Sequence, residues 1–341
     1  MASRTKPTRL SLAISLALVM VAPQAAAGGE TFSAAETART HRVDSSARET
    51  RNFWSEGRMR AAESNDLDSG ADSGHDTVDE STTTAPSTTI EPTGPSSGGS
   101  DEPRVLTSSS QETLIPYTLE KFSSESGDSH TTEGRIFFRS DGVSYSCSGT
   151  VVTSANKSVV WTAGHCVNHG GSNWANKWVF VPGYEDGEAP YGKWTAARLA
   201  APRGWTNRQS SAYDIGAAIL HPNGDGERIA DVVGSQGIAW NLSRKQQFSA
   251  YGYPSAGSFD GESLWACHSR FGWSDPIPGP NPLAIGCNMT YGSSGGGWIV
   301  ELESGSYLNS VTSYSHPGER HVVYGPYFGD AAASLYSAVN G

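Results

Sequence analysis

Three short stretches carry side chains suited to nucleophilic catalysis. "VVWTAGHC" delivers His165 at the end of an apolar run, "SAYDIGAAIL" sets Asp214 directly before another, and "MTYGSSGGGW" holds Ser294 inside a glycine-rich turn. A general base has to be held still, because a misplacement of about an ångström can cost on the order of a hundredfold in rate. Cys147 in "SCSGTVV" lies one hairpin upstream of His165, and a Cys147–Cys166 bridge would pin the histidine's loop to the neighbouring strand. A carboxylate at the rim of an apolar strand is costly to bury unless donors satisfy it, and an imidazole N–H is one such donor. Around Ser294 the glycines let the backbone turn tightly, so that the N–H groups of Gly292 and Ser294 can converge on an oxyanion. Taken singly, His165 reads as a structural histidine, Asp214 as a strand-edge turn residue and the Gly-Ser run as a linker. Their joint order, His, Asp, Ser, is what changes the reading.

The elements that must position them are short strands. "GRIFFRS", "SVVWTA", "KWVFV", "GAAIL", "FSAYGY", "GWIVEL" and "HVVYGPY" are rich in β-branched and aromatic residues, and clusters of Gly, Asn, Asp, Ser and Pro separate them. The pattern predicts an all-β domain. Only "FGDAAASLYSAV" reads as a helix, over 330–339, with Asp330 as its N-cap. No βαβ alternation is present, and more than two hundred residues suit a double barrel better than one small barrel.

"TAGHC", "DIGAAIL" and "GSSGGGW", in this order on a β-rich chain, resemble the chymotrypsin class of serine peptidases. "SVVWTAGHCV", "FVPGY", "CNMTYGSSGGGW" and "YGPYFG" resemble more narrowly its secreted bacterial branch, the actinomycete-type relatives of the glutamyl endopeptidases. The resemblance covers roughly Gly134 to the C-terminus. It implies two six-stranded barrels, roughly 134–225 and 230–328. It implies His165 as general base, Asp214 as its orienting carboxylate, Ser294 as nucleophile, and Gly292 and Ser294 amides as the oxyanion hole. It also implies a second bridge, Cys267–Cys287, bracing the specificity pocket, and a substrate strand at "VTSYS", with Asn288, Thr312, Ser313 and Ser315 near the substrate. Catalysis of this kind needs no cofactor and no metal.

Two departures from the resemblance matter. Ser293 stands where zymogens of the class place an aspartate that receives a newly cut N-terminus, so activation by that salt bridge cannot operate; a pro-segment, if it inhibits, would do so by occupying or shielding the cleft. Asn288 stands near the position of the pocket aspartate of trypsin, and Thr312 and Ser313 occupy the region where glutamyl endopeptidases carry a histidine. A preference for Lys or Arg is therefore not supported by sequence, and substrate preference stays open. His316 could reach the pocket, but beside the Pro-Gly turn of "YSHPGERH" it reads as a surface residue.

Rival readings weaken on order and spacing. Gly292–Gly296 also fits the nucleophile elbow of a serine esterase, yet no acid followed by a histidine comes after Ser294 with room for the required strand and helix units. A non-catalytic binding module on the same fold would be favoured by loss of a triad member, and none is lost. "PNGDGE" (222–227) lacks the ligand pattern of a calcium loop and reads as a turn. The cysteines lie singly, without the C-x-x-C pairs of a zinc site.

The N-terminal third has a different character. "MASRTKPTR" followed by "LSLAISLALVMVA" and Ala25-Ala26-Ala27 reads as a signal peptide over 1–27, which predicts a secreted, extracellular protein and makes disulfides the natural state of four cysteines. No later segment is apolar enough to cross a bilayer, so no membrane partner is expected after signal removal. Residues 28–104 read as a pro-segment, with a short helical element in "SSARETRNFWSEGRMRAAE" (45–63) and a disordered acidic Ser/Thr/Pro/Gly linker from about 65 to 104. The peptidase domain is placed at 105–341. A net charge of −11 with no basic stripe argues against nucleic acid; the resemblance implies a polypeptide substrate, and a monomer is the expected form.

Overall fold

The computed structural model describes residues 33, 36–64, 67–68, 85–93, 114–123 and 130–341. The expected signal peptide lies outside them, as does most of the expected linker. The strands, in chain order, begin with four from the N-terminal segment, β1 (Ala38–Arg42), β2 (Glu63–Ser64), β3 (Leu67–Asp68) and β4 (Thr88–Ile90), and then β5 (Tyr117–Lys121). A first group follows: β6 (Glu133–Ser140), β7 (Val143–Val152), β8 (Val159–Thr162), β9 (Asn176–Pro182), β10 (Trp194–Pro202) and β11 (Gly216–Leu220). The second comprises β12 (Gly237–Trp240), β13 (Gln247–Gly252), β14 (Trp265–Ser274), β15 (Leu283–Gly286), β16 (Gly297–Leu302), β17 (Gly305–Val311), β18 (Tyr314–Ser315) and β19 (Val322–Gly325).

The first group closes into a barrel: the pairing runs β10-β11-β8-β7-β6-β9 and returns from β9 to β10. Strands such as "VVWT" of β8 and "GAAIL" of β11 are apolar and almost wholly buried, as expected where both strand edges are paired and the inward face fills the core. The second group forms a curved sheet whose pairing path runs from β18 through β19, β15, β14, β13, β16 and β17 to β12. These two bodies give the expected all-β class: the first is a closed six-stranded barrel, and the second, expected as another six-stranded barrel, is a sheet of eight strands along its pairing path. A cross-body ion pair, Arg135 to Glu262 at 3.0 Å, joins β6 to the loop before β14.

The C-terminal helix, Asp330–Val339, forms where the sequence predicts it, but its N-cap is Gly329. Asp330 is instead the first helical residue, and its carboxylate accepts from Asn241 Nδ2 at 3.0 Å. Ala331, Ala332, Leu335 and Val339 bury into the core of the first barrel.

The N-terminal segment departs most from expectation. Residues 45–63 contain two short helices, α1 (Ala47–Phe53) and α2 (Glu56–Arg60), each capped by a serine side chain, Ser46 and Ser55. Ahead of them β1 adds to β10 over five residues, from Ala38 opposite Pro202 to Arg42 opposite Arg198. Within the stretch read as a disordered linker, Thr88–Ile90 pair antiparallel with Ile238–Trp240 of β12. The physical reason is that an open strand edge offers main-chain N–H and C=O groups to any extended segment, whatever its side chains.

Candidate active site

Asp214 follows a 3₁₀ turn, Ser211–Tyr213, and precedes β11, so its side chain enters the core at the strand's head. It is fully buried, and its carboxylate is satisfied by three groups. Oδ1 accepts from the His165 backbone N–H at 2.8 Å, Oδ2 lies 2.7 Å from His165 Nδ1, and Ser313 Oγ donates to Oδ2 at 2.5 Å. Such multiple donation is what allows a carboxylate to stay charged away from water. With Nδ1 donating to Asp214, the lone pair of the ring is left on Nε2.

His165 sits in a single 3₁₀ turn, Gly164–Cys166, at the end of β8. The Cys147–Cys166 disulfide, with Cα atoms 6.2 Å apart, ties that turn to β7, and Trp178 Nε1 donates to Cys166 O at 3.0 Å. The Ser294 turn is fastened to the same place. Ser294 O accepts from Ser148 N at 2.8 Å and lies 3.7 Å from Cys166 Sγ; Gly295 N donates to Thr312 O at 2.7 Å, next to the serine that holds Asp214. Two glycines of the turn are required by space as well as by φ. Gly295 has φ +80°, and a Cβ there would lie 2.0 Å from Thr162 Oγ1; Gly292 has φ +93°, and a Cβ would lie 2.6 Å from Tyr253 O. The Gly292 carbonyl turns away to accept from Ser148 Oγ at 2.9 Å. Three distant stretches of chain thus meet within one hydrogen-bonded cluster between the first barrel and the second sheet.

Beside this cluster lies a cavity of about 320 Å³. Asn288, Ser294, Thr312, Ser313 and Ser315 line it, together with Glu319 and His321. The second disulfide, Cys267–Cys287, ends at its wall.

No protein-family model matches the chain. It is 43% identical to the protease Anisep from Arthrobacter nicotinovorans, over 62% of this chain and 95% of that one, with a TM-score of 0.58. It is 38% identical to the thermostable serine protease AL20 from an extremophilic microorganism, over 62% of this chain and 97% of that one, with a TM-score of 0.57. This chain belongs to the chymotrypsin-like serine proteases. A Glu endopeptidase, 18% identical over 65% of this chain and 96% of its own with a TM-score of 0.50, shares the fold. Among curated proteins, an "Extracellular metalloprotease" of Bacillus subtilis (strain 168) is 27% identical over 204 residues, 56% of this chain and 57% of that relative; the chain thus spans little more than half of that relative's length. That relative's name does not fit the donors present here. Among the described residues the one group of metal-capable side chains is Cys147, His165 and Cys166, and both sulfurs are engaged in a disulfide rather than available as thiolates.

Within this protease fold, several sequence expectations change. His316 is not a surface residue: it is buried, its Nε2 lies 2.8 Å from Asp275 Oδ2, and the rings of Tyr314 and Tyr324 flank it at 5.4 and 4.7 Å. Tyr314 O–H donates to the same Asp275 oxygen at 2.5 Å. The Pro-Gly turn beside His316 is exposed, but the imidazole folds inward because Asp275 supplies a buried anionic partner. Ser313 acts through its hydroxyl on Asp214, and Thr312 Oγ1 accepts from the buried Trp298 N–H at 2.9 Å, so neither hydroxyl is turned wholly to the cavity. Ser293, the replacement for the zymogen aspartate, closes its own turn: its Oγ donates to Thr290 O at 2.7 Å and its carbonyl accepts from Gly296 N at 2.9 Å.

Sequence reasoning did not single out Glu319, His321 or His169. Glu319 accepts from Tyr324 O–H at 2.7 Å and brings a carboxylate to the pocket; the cue available was only its place shortly after the substrate strand. His169 is held below its usual pKa by burial and by the neighbouring His165, and it packs on Phe138 and Tyr145.

Proposed function

We propose that the protein is a secreted serine endopeptidase that hydrolyses polypeptides through His165, Asp214 and Ser294, with no cofactor, acting as an extracellular monomer after loss of residues 1–27. The observation that carries this reading is the buried Asp214 carboxylate, bound at once by the His165 backbone, the His165 ring and Ser313. That arrangement fixes the tautomer and orientation of an imidazole, which is the task of the acid in a Ser-His-Asp triad. Among the described residues no helix is long and apolar enough to cross a membrane.

The chemistry follows from the groups present. Ser294 Oγ attacks the scissile carbonyl carbon while His165 Nε2 takes its proton; the amides of Gly292 and Ser294 stabilise the oxyanion of the tetrahedral intermediate. Collapse breaks the C–N bond, and the imidazolium returns the proton to the leaving amine. Water, deprotonated by His165, then attacks the acyl-enzyme; collapse breaks the bond from the acyl carbon to Ser294 Oγ, which takes the proton back from the imidazolium as the new carboxylic acid leaves. Asp214 keeps its charge throughout and stabilises the imidazolium. The domain plan supporting this is a pro-segment over 28–104 followed by the peptidase domain at 105–341.

The test is Ser294→Ala. Turnover of a peptide substrate should vanish while the unfolding temperature changes little; residual turnover equal to the parent's would refute the assignment.

A further inference from the structure

Two pieces of the N-terminal segment lie on either side of the triad. β2 pairs in parallel with β7, Glu63 opposite Tyr145 and Ser64 opposite Ser146, and Ser146 Oγ donates to Glu63 O at 3.4 Å. This pairing ends one residue before Cys147, whose disulfide leads to the neighbour of His165. β3 pairs in parallel with β18, Leu67 opposite Tyr314 and Asp68 opposite Ser315. That pairing starts one residue after Ser313, the donor to Asp214. Only residues 65 and 66 separate β2 from β3 in sequence. His165 and Ser294 are 3% and 1% exposed in the full chain.

The direction of these strands is informative. A substrate whose P1 side chain enters the cavity lined by Ser313–Ser315 has its scissile carbonyl at Ser294, and its preceding residues extend along β18 away from Ser313. Its chain therefore runs from Ser315 towards Ser313, antiparallel to β18. β3 runs the opposite way, and β2, just ahead of it in the chain, comes in along β7. A reversed strand fills the main-chain pairing sites, yet the residues that would have to form the acyl half lie on the leaving-group side, so it cannot present a peptide group to Ser294 in the orientation that acyl transfer requires.

The segment is also held in place before it reaches the cleft. Trp54 is fully buried, donates through Nε1 to Lys177 O at 2.5 Å and packs on Phe137 at 5.6 Å. Lys193 Nζ donates to the carbonyls of Arg51 and Trp54 at 3.1 and 2.7 Å, Arg60 donates to Asp186 O, and β1 adds its five-residue ladder to β10. Anchoring of this kind sets the tethered strand at an effective concentration in roughly the millimolar range, which a free peptide seldom reaches.

We propose that the strands Glu63–Ser64 and Leu67–Asp68 form a built-in inhibitor that occupies the substrate cleft backwards and keeps the full chain latent, with Trp54 and β1 as its anchor. The inference rests on the triad reading for its functional meaning, although the strand placement can be tested without it. In a full chain carrying Ser294→Ala, Asp68→Cys combined with Ser315→Cys should form a disulfide between positions 68 and 315, identified by peptide mapping, whereas Asp68→Cys with the exposed Glu303→Cys should form none. Absence of the first bridge, or equal formation of both, would overturn the placement. In a full chain with Ser294 intact, Leu67→Pro with Asp68→Pro should raise the rate of Ser294 phosphonylation by a small phosphonate about tenfold or more, since proline removes main-chain donors from the pairing. An unchanged, measurable rate would overturn inhibition by this strand; no adduct in either chain would instead count against Ser294 as nucleophile, with the disulfide result still deciding the placement.

Discussion

Glu133 provides a quantitative test of how the first barrel is built. It begins β6, is buried, and accepts from Thr150 Oγ1 at 2.6 Å. Burial pushes its carboxyl from 4.5 up to about 8, more than the hydrogen bonds from Thr150 and Thr132 pull it down. Between those two values the folded chain keeps a proton that the unfolded chain has lost, so unfolding releases a proton and stability falls as pH rises from about 4.5 to about 8. Above that window the whole cost is present, and below it none. At about 1.4 kcal/mol per pH unit, the interval corresponds to on the order of 3–5 kcal/mol after allowance for relaxation around the charge. Glu133→Gln keeps the shape and the acceptor for Thr150 without an ionisable group. In a Ser294→Ala background, which prevents autolysis, the two proteins should melt at nearly the same temperature at pH 4.5. By pH 9 the Gln variant should melt roughly 10 °C higher, at about 2–4 °C per kcal/mol for a domain of this size. Melting curves that stay parallel across this range would refute the argument.

Other substitutions probe the site. Asp214→Asn should lower kcat about 10⁴-fold with little change in KM, because an amide cannot hold the imidazole in the required tautomer; near-normal turnover would mean that another acid serves His165. Gly295→Ala introduces a Cβ 2.0 Å from Thr162 Oγ1 at φ +80°, and displacement of the neighbouring Ser294 should cost on the order of a hundredfold in kcat; an unaffected rate would show that the turn is not held against β8. Glu319→Gln removes the pocket's carboxylate, and a peptide-library profile should show cleavage after acidic residues rising about tenfold relative to cleavage after basic ones. An unchanged ratio would exclude Glu319 from P1 selection.

What was legible in the sequence follows the kind of interaction involved. The strands of the barrel and of the second sheet announced themselves through dense β-branched and aromatic runs, because their side chains had to fill a core. The stretches around His165, Asp214 and Ser294 stood out as short motifs on which a triad can be proposed, and both expected disulfides form. Main-chain pairing left no such trace. Thr88–Ile90, Glu63–Ser64 and Leu67–Asp68 join sheets through backbone groups; the first and last lie in a stretch whose acidic, Ser/Thr-rich composition suggested only solubility, and Glu63 closed a stretch read as helical. Phe53 and Trp54 were visible as an aromatic pair, but the acceptor that seats Trp54, the Lys177 carbonyl, is 123 residues away. His316 was misplaced because its partner Asp275 lies 41 residues upstream and only the folded sheet brings the two together. Glu319 and His321 reach the pocket for the same reason: the wall they complete is assembled from β19 and the turn before it.

The central claim is that Ser294, activated by His165, is a nucleophile. It is tested most directly by treating the protein, after removal of its N-terminal segment by natural processing, with a phosphonylating reagent and mapping the adduct by mass spectrometry. A single stoichiometric adduct on Ser294 is expected, with a much slower reaction in His165→Ala. An adduct on Ser293 or another serine, or none on Ser294 in correctly folded, processed protein, would contradict it.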